Sequence, residues 1–381
     1  MRPLVAPHLA ALKAYVPGKP IEETEREYGV TGIAKLASNE NCLGPSPRAL
    51  DAVRDGLLQS HLYPDAGGFY LKERICSHLA TYGVQPQHLV LGNGTNEILT
   101  LLVRALVGED EAGLFAWPSF VVYRLALAGH NRQEVSVPLR EDLGYDLPAM
   151  ADALEQSETP VKIVFLANPN NPTGRYFSQA ELDAFLARVP DDVVVVLDEA
   201  YAEYVQEADY PEGMRLALSR PRTVVTRTFS KAYGLAALRV GYAVCDPEIA
   251  GVLNRLREPF NVNSAAQQAA MAALEDEEHV RRSIAHNQQE LPKIQAALKA
   301  MGIRVTPSVC NFVLMHLPEG YPQMAEVNEG LLQRGVIVRP VANYGLPRSA
   351  RVTIGTAEEN QRFLDALEEI CAPYRGQKDD A

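Results

Sequence analysis

The sequence predicts an α/β protein: a mostly parallel sheet between helices, with a smaller α+β domain after it. Three observations carry this expectation. Short runs of apolar residues recur along the first two thirds of the chain, in "HLVLG", "VKIVFLA", the four valines of "VVVVLDEAY", "TVVTRTF" and "RVGYAVC". Strands buried on both faces read this way, because neither set of alternating side chains meets water. Helical patterns stand between these runs, which is the alternation of a parallel sheet with its crossover helices. Beyond about residue 261 the texture changes to long helices and shorter strands.

Each element has its own signal. "HLVLG" is followed by "TNEILTLLVRALV", whose apolar residues recur at three and four and so mark one helix face. "VKIVFLA" stops at "NPNNPTG", a dense cluster of turn formers. "AELDAFLARV" is an amphipathic helix leading into the valine strand. In the last third, "NSAAQQAAMAAL" and residues 276–301 read as helices, "FVLMHL", "VIVRPV" and "ARVTIGT" as strands, and residues 360–370 as a closing helix. The opening residues contain a "PGKP" turn and read as an arm lying across something else. The expected organisation is an arm and part of the small domain in 1–37, a large domain in 38–258 and a small C-terminal domain in 259–381.

Charge and cysteine usage exclude several classes. The 36 basic and 48 acidic side chains give a net charge of −12, which argues against a nucleic-acid or anionic-membrane partner. Any anionic ligand must then be held by a few placed arginines. Cys42, Cys76, Cys245, Cys310 and Cys371 are scattered with no CxxC pair, so neither a metal site nor a disulfide framework is expected. The N-terminus breaks its apolar residues with proline and histidine where a secretory leader needs an unbroken core. No apolar run approaches the ~20 residues of a membrane span. A soluble, cytoplasmic protein is the expectation.

Four polar features sit where apolar strands end, the edge at which an open parallel sheet binds ligands. "GNGTNE" at 92–97 places Gly94 and the following amides at a helix N-terminus, either as a structural turn or as an anion seat. Glu97 occupies the place where a dinucleotide fingerprint needs its third glycine, which removes that reading. "NPNNPTG" by itself is a turn. Asp198 closes the valine strand, where a buried carboxylate costs several kcal/mol without a partner. It either forms a structural salt bridge or serves a cationic ligand. The fourth is "TRTFSKAYGLAALRVG" at 226–241. Of nine lysines, Lys231 alone follows a strand and sits among Thr228, Ser230 and glycine, with Arg239 eight residues on. A lysine so confined loses its proton readily and can act as nucleophile and base.

A nucleophilic lysine, a carboxylate, an amide-and-hydroxyl nest and an arginine match one planar, phosphorylated, cationic heterocycle, and pyridoxal 5′-phosphate has those features. At these residues the chain resembles the histidinol-phosphate aminotransferase family of fold-type I enzymes. The resemblance runs through "AYVPGKP", "LASNENCLGPSP", "YPD", "LGNGTNEIL", "NPNNPTG", "DEAY", "TFSKAYGLAALRVGY" and "ARVTIGTAEENQRFLDAL", in the family's order and over nearly the whole chain. It implies a seven-stranded, mostly parallel sheet in the large domain and pyridoxal phosphate as cofactor. Lys231 would be the Schiff-base lysine, and Asp198 would keep the ring nitrogen protonated. Asn171 and Tyr201 would hydrogen-bond the phenolate oxygen. Thr228, Ser230 and Arg239, with Gly94, Thr95 and Asn96, would hold the phosphate. Phe120 would stack on the ring, where many relatives carry tyrosine.

The resemblance implies a homodimer in which Tyr63 of "YPD" reaches the neighbouring subunit's site; a tyrosine packed beside a turn is the plainer alternative. Arg351 would take the α-carboxylate of glutamate or 2-oxoglutarate, for which a planar bidentate fork suits. Arg339 resembles a second arginine that reaches a substrate phosphate, and Tyr15 and Asn39 would cover the pocket. Cys42 stands where relatives usually carry proline. The implied reaction is ping-pong transamination between histidinol phosphate and 2-oxoglutarate. Transamination of phenylalanine or tyrosine, decarboxylation of phosphothreonine, and a non-catalytic regulator on the same fold are the alternatives.

Overall fold

A computed structural model describes residues 4–10, 12 and 18–374. Tyr15 lies outside the described residues.

Seven strands form the central sheet: β1 (Leu89–Gly92), β2 (Ala112–Trp117), β3 (Gln133–Pro138), β4 (Val161–Ala167), β5 (Val194–Asp198), β6 (Thr223–Thr228) and β7 (Gly241–Cys245). Their order is β1-β7-β6-β5-β4-β2-β3, with β7 antiparallel to both neighbours and the other pairs parallel. This is the mostly parallel, seven-stranded sheet that the sequence leads one to expect. Alternation divides each strand between two cores. Val195, Leu197 and Val225 pack on one face, and Val194, Val196 and Val224 on the other. Both faces are dry, so every residue of β5 is buried.

The same alternation sorts the polar residues. Asp198 and Thr226 are register partners, and the Thr226 hydroxyl donates to Asp198. The next residues point the other way: the Arg227 guanidinium donates to the Glu199 carboxylate. Two polar layers therefore sit one residue apart at the end of an otherwise apolar sheet.

A second, antiparallel sheet is built from β8 (Arg304–Thr306), β9 (Phe312–His316), β10 (Arg339–Pro340) and β11 (Ser349–Thr353), in the order β10-β11-β9-β8. It has its own apolar cluster, which includes Val313, Met315, Val352 and Phe363. The closing helix Ala357–Cys371 covers it and starts at a capping box, in which the Thr356 hydroxyl and the Glu359 carboxylate each accept from the other's backbone amide. The helix Ser264–Glu275 packs its alanines with the large-sheet core, through Ala266, Ala269, Ala270 and Ala273.

The N-terminal segment reaches the site by pairing with this second unit. Ala34–Lys35 runs parallel to Val336–Ile337, and the Leu36 carbonyl accepts from the Thr353 amide at 2.8 Å. Residues 37–40 are thereby laid over the edge where β4, β5 and β6 end.

Candidate active site

The strand ends and the turns after them enclose a cleft with a cavity volume of about 210 Å³. Of the residues singled out from the sequence, Asn39, Thr95, Asn96, Phe120, Asn171, Asp198, Tyr201, Thr228, Ser230, Lys231, Arg239, Arg339 and Arg351 line it. Gly94 lies just behind the lining, under Arg239. Tyr63 is outside the cleft, 82% exposed and stacked on Phe260 with ring centroids 4.6 Å apart.

Lys231 follows β6 by three residues, at the turn that reverses the chain into β7. Its ammonium donates to the Ser38 carbonyl at 2.9 Å and lies 5.7 Å from the centre of the Tyr201 ring. Burial lowers its pKa to about 7, and the Arg351 and Arg239 cations push the same way while Glu40 opposes them. A substantial fraction is thus the free amine at neutral pH, as a nucleophile requires.

The anion seat is built at the start of the helix Thr95–Leu106. Gly94 caps it at φ 73 and ψ 168, and a Cβ there would lie 2.4 Å from the Arg239 guanidinium. Only glycine lets the arginine cross so close to the first amides of the helix. Arg239 is held by donating to the Ser230 hydroxyl at 3.3 Å and the Ala236 carbonyl at 2.9 Å. Thr228 accepts from the Ser230 amide at 3.1 Å. Helix N-terminus, guanidinium and hydroxyls share one end of the cleft, which suits a phosphate.

Asp198 is 4% exposed, and among the described residues it has no cationic partner. Its two oxygens each accept one hydroxyl, from Tyr123 and Thr226, both at 2.8 Å. The structural salt bridge left open by the sequence is therefore not what holds it. Burial raises its pKa and the two hydroxyls oppose that rise. A carboxylate in this position gains most from a cation arriving in the cleft.

Asn171 and Arg351 meet: the guanidinium donates from Nη1 to Asn171 Oδ1 at 2.5 Å and from Nη2 to the Ala37 carbonyl at 2.7 Å. Arg351 Nε is buried without an acceptor, an orphan donor that a ligand oxygen would satisfy. Asn39 holds a left-handed backbone, φ 55, and donates from its amide to the Tyr201 hydroxyl at 2.8 Å. Arg339 is the register partner of Arg351, so two arginines stand side by side at the cleft.

Sequence reasoning missed Ser38, Tyr123 and Thr226. Thr226 shares the strand face of Thr228 by period two, and Tyr123 lies one helical turn after Phe120, so both carried a usable signal. Ser38 acts through its carbonyl, which no side chain announces.

The arrangement suits a ligand with an anionic end, a cationic ring and an electrophilic carbon. The comparisons agree with it. The family model for aminotransferase class I and II matches residues 31–367. A histidinol-phosphate aminotransferase of Anaeromyxobacter sp. (strain Fw109-5) is 49% identical over 368 residues, 97% of this chain and 99% of that protein. Histidinol-phosphate aminotransferase 1 of Nitrosococcus oceani is 46% identical over 372 residues, 98% of each chain. Among solved structures, the histidinol-phosphate aminotransferase of Sinorhizobium meliloti in complex with pyridoxal-5′-phosphate superimposes with a TM-score of 0.87 at 28% identity, over 98% of this chain and 99% of that one. With the family model matching most of its length and near-full-length relatives above 45% identity, the chain belongs to the class I and II aminotransferases.

Proposed function

We propose that this protein is a pyridoxal-phosphate-dependent histidinol-phosphate aminotransferase, with 2-oxoglutarate as the amino acceptor. The observation that carries the reading is the pairing, in one cleft, of a lysine whose pKa burial lowers to about 7 with a buried carboxylate that has no cationic partner among the described residues. When bound, the cofactor supplies an aldehyde that exchanges amines and a ring that accepts electrons.

The chain's own residues then have these roles. Lys231 anchors the cofactor and, once released, carries the proton removed from the substrate's α-carbon. Asp198 balances a positive ring nitrogen. Asn171 and Tyr201 hold the phenolic oxygen, and Phe120 walls one face of the ring. Gly94, Thr95, Asn96, Thr228, Ser230 and Arg239 seat the phosphate. Arg351 binds the carboxylate of glutamate or 2-oxoglutarate with its unsatisfied donor. Arg339 faces the phosphate of histidinol phosphate, with Asn39 covering the pocket. Release of one product before the second substrate enters gives ping-pong kinetics.

The proposal includes a homodimer. Leu57, Leu58, Leu62, Tyr63, Phe69 and Tyr70 are all more than half exposed, an apolar surface that a second copy would cover. Tyr63 on that face would reach the neighbouring site. The proposed organisation keeps an arm in 1–37, a large domain in 38–258 and a small domain in 259–381. The separate apolar clusters of the two sheets support a division into two domains, while the helix Ser264–Glu275, whose alanines join the large-sheet cluster, argues for a boundary after residue 275 instead of at 258. Among the described residues no helix is long and apolar enough to cross a membrane. The proposed location is the cytoplasm.

A donor panel with 2-oxoglutarate tests the substrate. A kcat/KM for histidinol phosphate about 100-fold or more above those for phenylalanine and tyrosine is expected, since a charge-assisted contact contributes about 1.5–3 kcal/mol. Equal or better use of the aromatic amino acids would reject the assignment. Carbon dioxide release from phosphothreonine without glutamate formation would reject transamination itself.

A further inference from the structure

Asp198 is gripped from behind by two hydroxyls that do not line the cleft. Tyr123 donates to Oδ2 and Thr226 to Oδ1, each at 2.8 Å. Both residues are fully buried, so no water competes for these bonds. Each carboxylate oxygen has a second acceptor position, which leaves one free to turn toward the cleft.

Tyr123 is itself held rigidly. Its ring stacks on Phe165, with centroids 4.8 Å apart and planes within 8°. It meets Phe120 edge-on, at 5.8 Å and 88°. The Tyr123 amide also donates to the Phe120 carbonyl at 3.2 Å, so backbone and ring contacts both tie Phe120 to Tyr123. One phenol thus touches both the anion and the aromatic wall of the site, across 75 residues of sequence in the case of Asp198.

We propose that Tyr123 and Thr226 are positioning residues for the reaction: together they fix the Asp198 carboxylate as an anion aimed into the cleft, and Tyr123 sets the height of Phe120 against the same ring. The inference rests on reading Asp198 as the partner of a cationic ring nitrogen. Its physical basis is the opposition already described. Burial favours the neutral acid, which would attract a cationic ring only weakly, and the two hydroxyl donors favour the anion. Tyr123→Phe keeps the stacked and edge-on contacts and removes the donor to Oδ2 alone. Thr226→Val keeps the branched shape that suits β6 and removes the donor to Oδ1.

The test measures binding to the full-length apoprotein of pyridoxal phosphate and of its deaza analogue, in which carbon replaces the ring nitrogen. The analogue has the same aldehyde and phosphate but no charge at that position. Wild type is expected to prefer the natural cofactor. Tyr123→Phe is expected to lose about 10- to 100-fold in affinity for the natural cofactor and less than about 3-fold for the analogue, because a hydrogen bond to a charged group is at stake. Thr226→Val should shift the same ratio in the same direction, and it carries the test if Tyr123→Phe does not fold. If wild type prefers the natural cofactor and both variants keep that preference, or lose equally for both ligands, the positioning role is wrong while the Asp198 reading survives. If wild type does not distinguish the two ligands, the Asp198 reading fails and the inference falls with it.

Discussion

Replacing Gly94 by Ala tests the anion seat with a single carbon. Gly94 sits at φ 73 and ψ 168, a region that costs other residues about 1–3 kcal/mol. The new Cβ would lie 2.4 Å from Nη2 and 3.2 Å from Cζ of Arg239, well inside contact distance. The guanidinium ends a flexible side chain, so it moves before the backbone does. Moving it gives up its bonds to Ser230 and Ala236 and its place over the helix N-terminus. Losing one charge-assisted contact to a phosphate removes about 1.5–3 kcal/mol, so affinity for pyridoxal phosphate should fall about 10- to 100-fold. The assay is titration of apoprotein with the cofactor, followed by quenching of the single tryptophan, Trp117. A thermal melt of the apoprotein measures the backbone strain separately. Cofactor affinity within about 2-fold of wild type would refute the assignment of Arg239 and the Gly94 turn to the phosphate.

Two further predictions concern buried charge. Glu199 is 1% exposed and accepts from Arg227 at 2.7 Å, while Glu203 takes the other side of that guanidinium at 3.1 Å. Glu199→Gln leaves the cation half compensated, and stability in denaturant titration should fall by on the order of 3 kcal/mol; a fall below about 1 kcal/mol would show the pair to be dispensable. His316 uses both ring nitrogens, toward Thr306 and Ser349, each at 2.8 Å, and burial lowers its pKa to about 4. Because the folded pKa is depressed below the unfolded value near 6.5, its contribution is intact above pH 6.5 and is lost as pH falls toward 4, by up to about 3 kcal/mol. Stability of wild type minus that of His316→Gln, measured from pH 7 to 4, should shrink over that window; a constant difference would count against it.

What could be read from the sequence follows from which contacts are local. Lys231, Thr228, Ser230 and Arg239 lie within one short segment, and their chemistry is visible as an ammonium among small and hydroxylated residues. Asp198 is visible because it ends an apolar strand and Asn171 because it lies in the turn that follows one, and parallel strands present those ends at one edge. The strands Ala112–Trp117 and Gln133–Pro138 are harder to see individually. The first opens on Ala-Gly and carries no β-branched residue. The second lies at the sheet edge, where its residues are mostly exposed and no buried pattern is imposed. The grip on Asp198 depends on register between β5 and β6 and on Tyr123, in a helix 75 residues earlier, and neither is a property of a local window. The overlay of residues 37–40 is equally non-local, since Arg351 and Thr353 staple it from the far end of the chain. Tyr63 would need a second copy of the chain to act.

The central claim is that Lys231 is the covalent anchor of the cofactor. The most direct measurement is borohydride reduction of the holoprotein, proteolysis, and mass spectrometry of the labelled peptide. The account predicts a phosphopyridoxyl group on Lys231 and, in Lys231→Ala, loss of both the label and turnover. A label on any other lysine, or full turnover by Lys231→Ala, would contradict it.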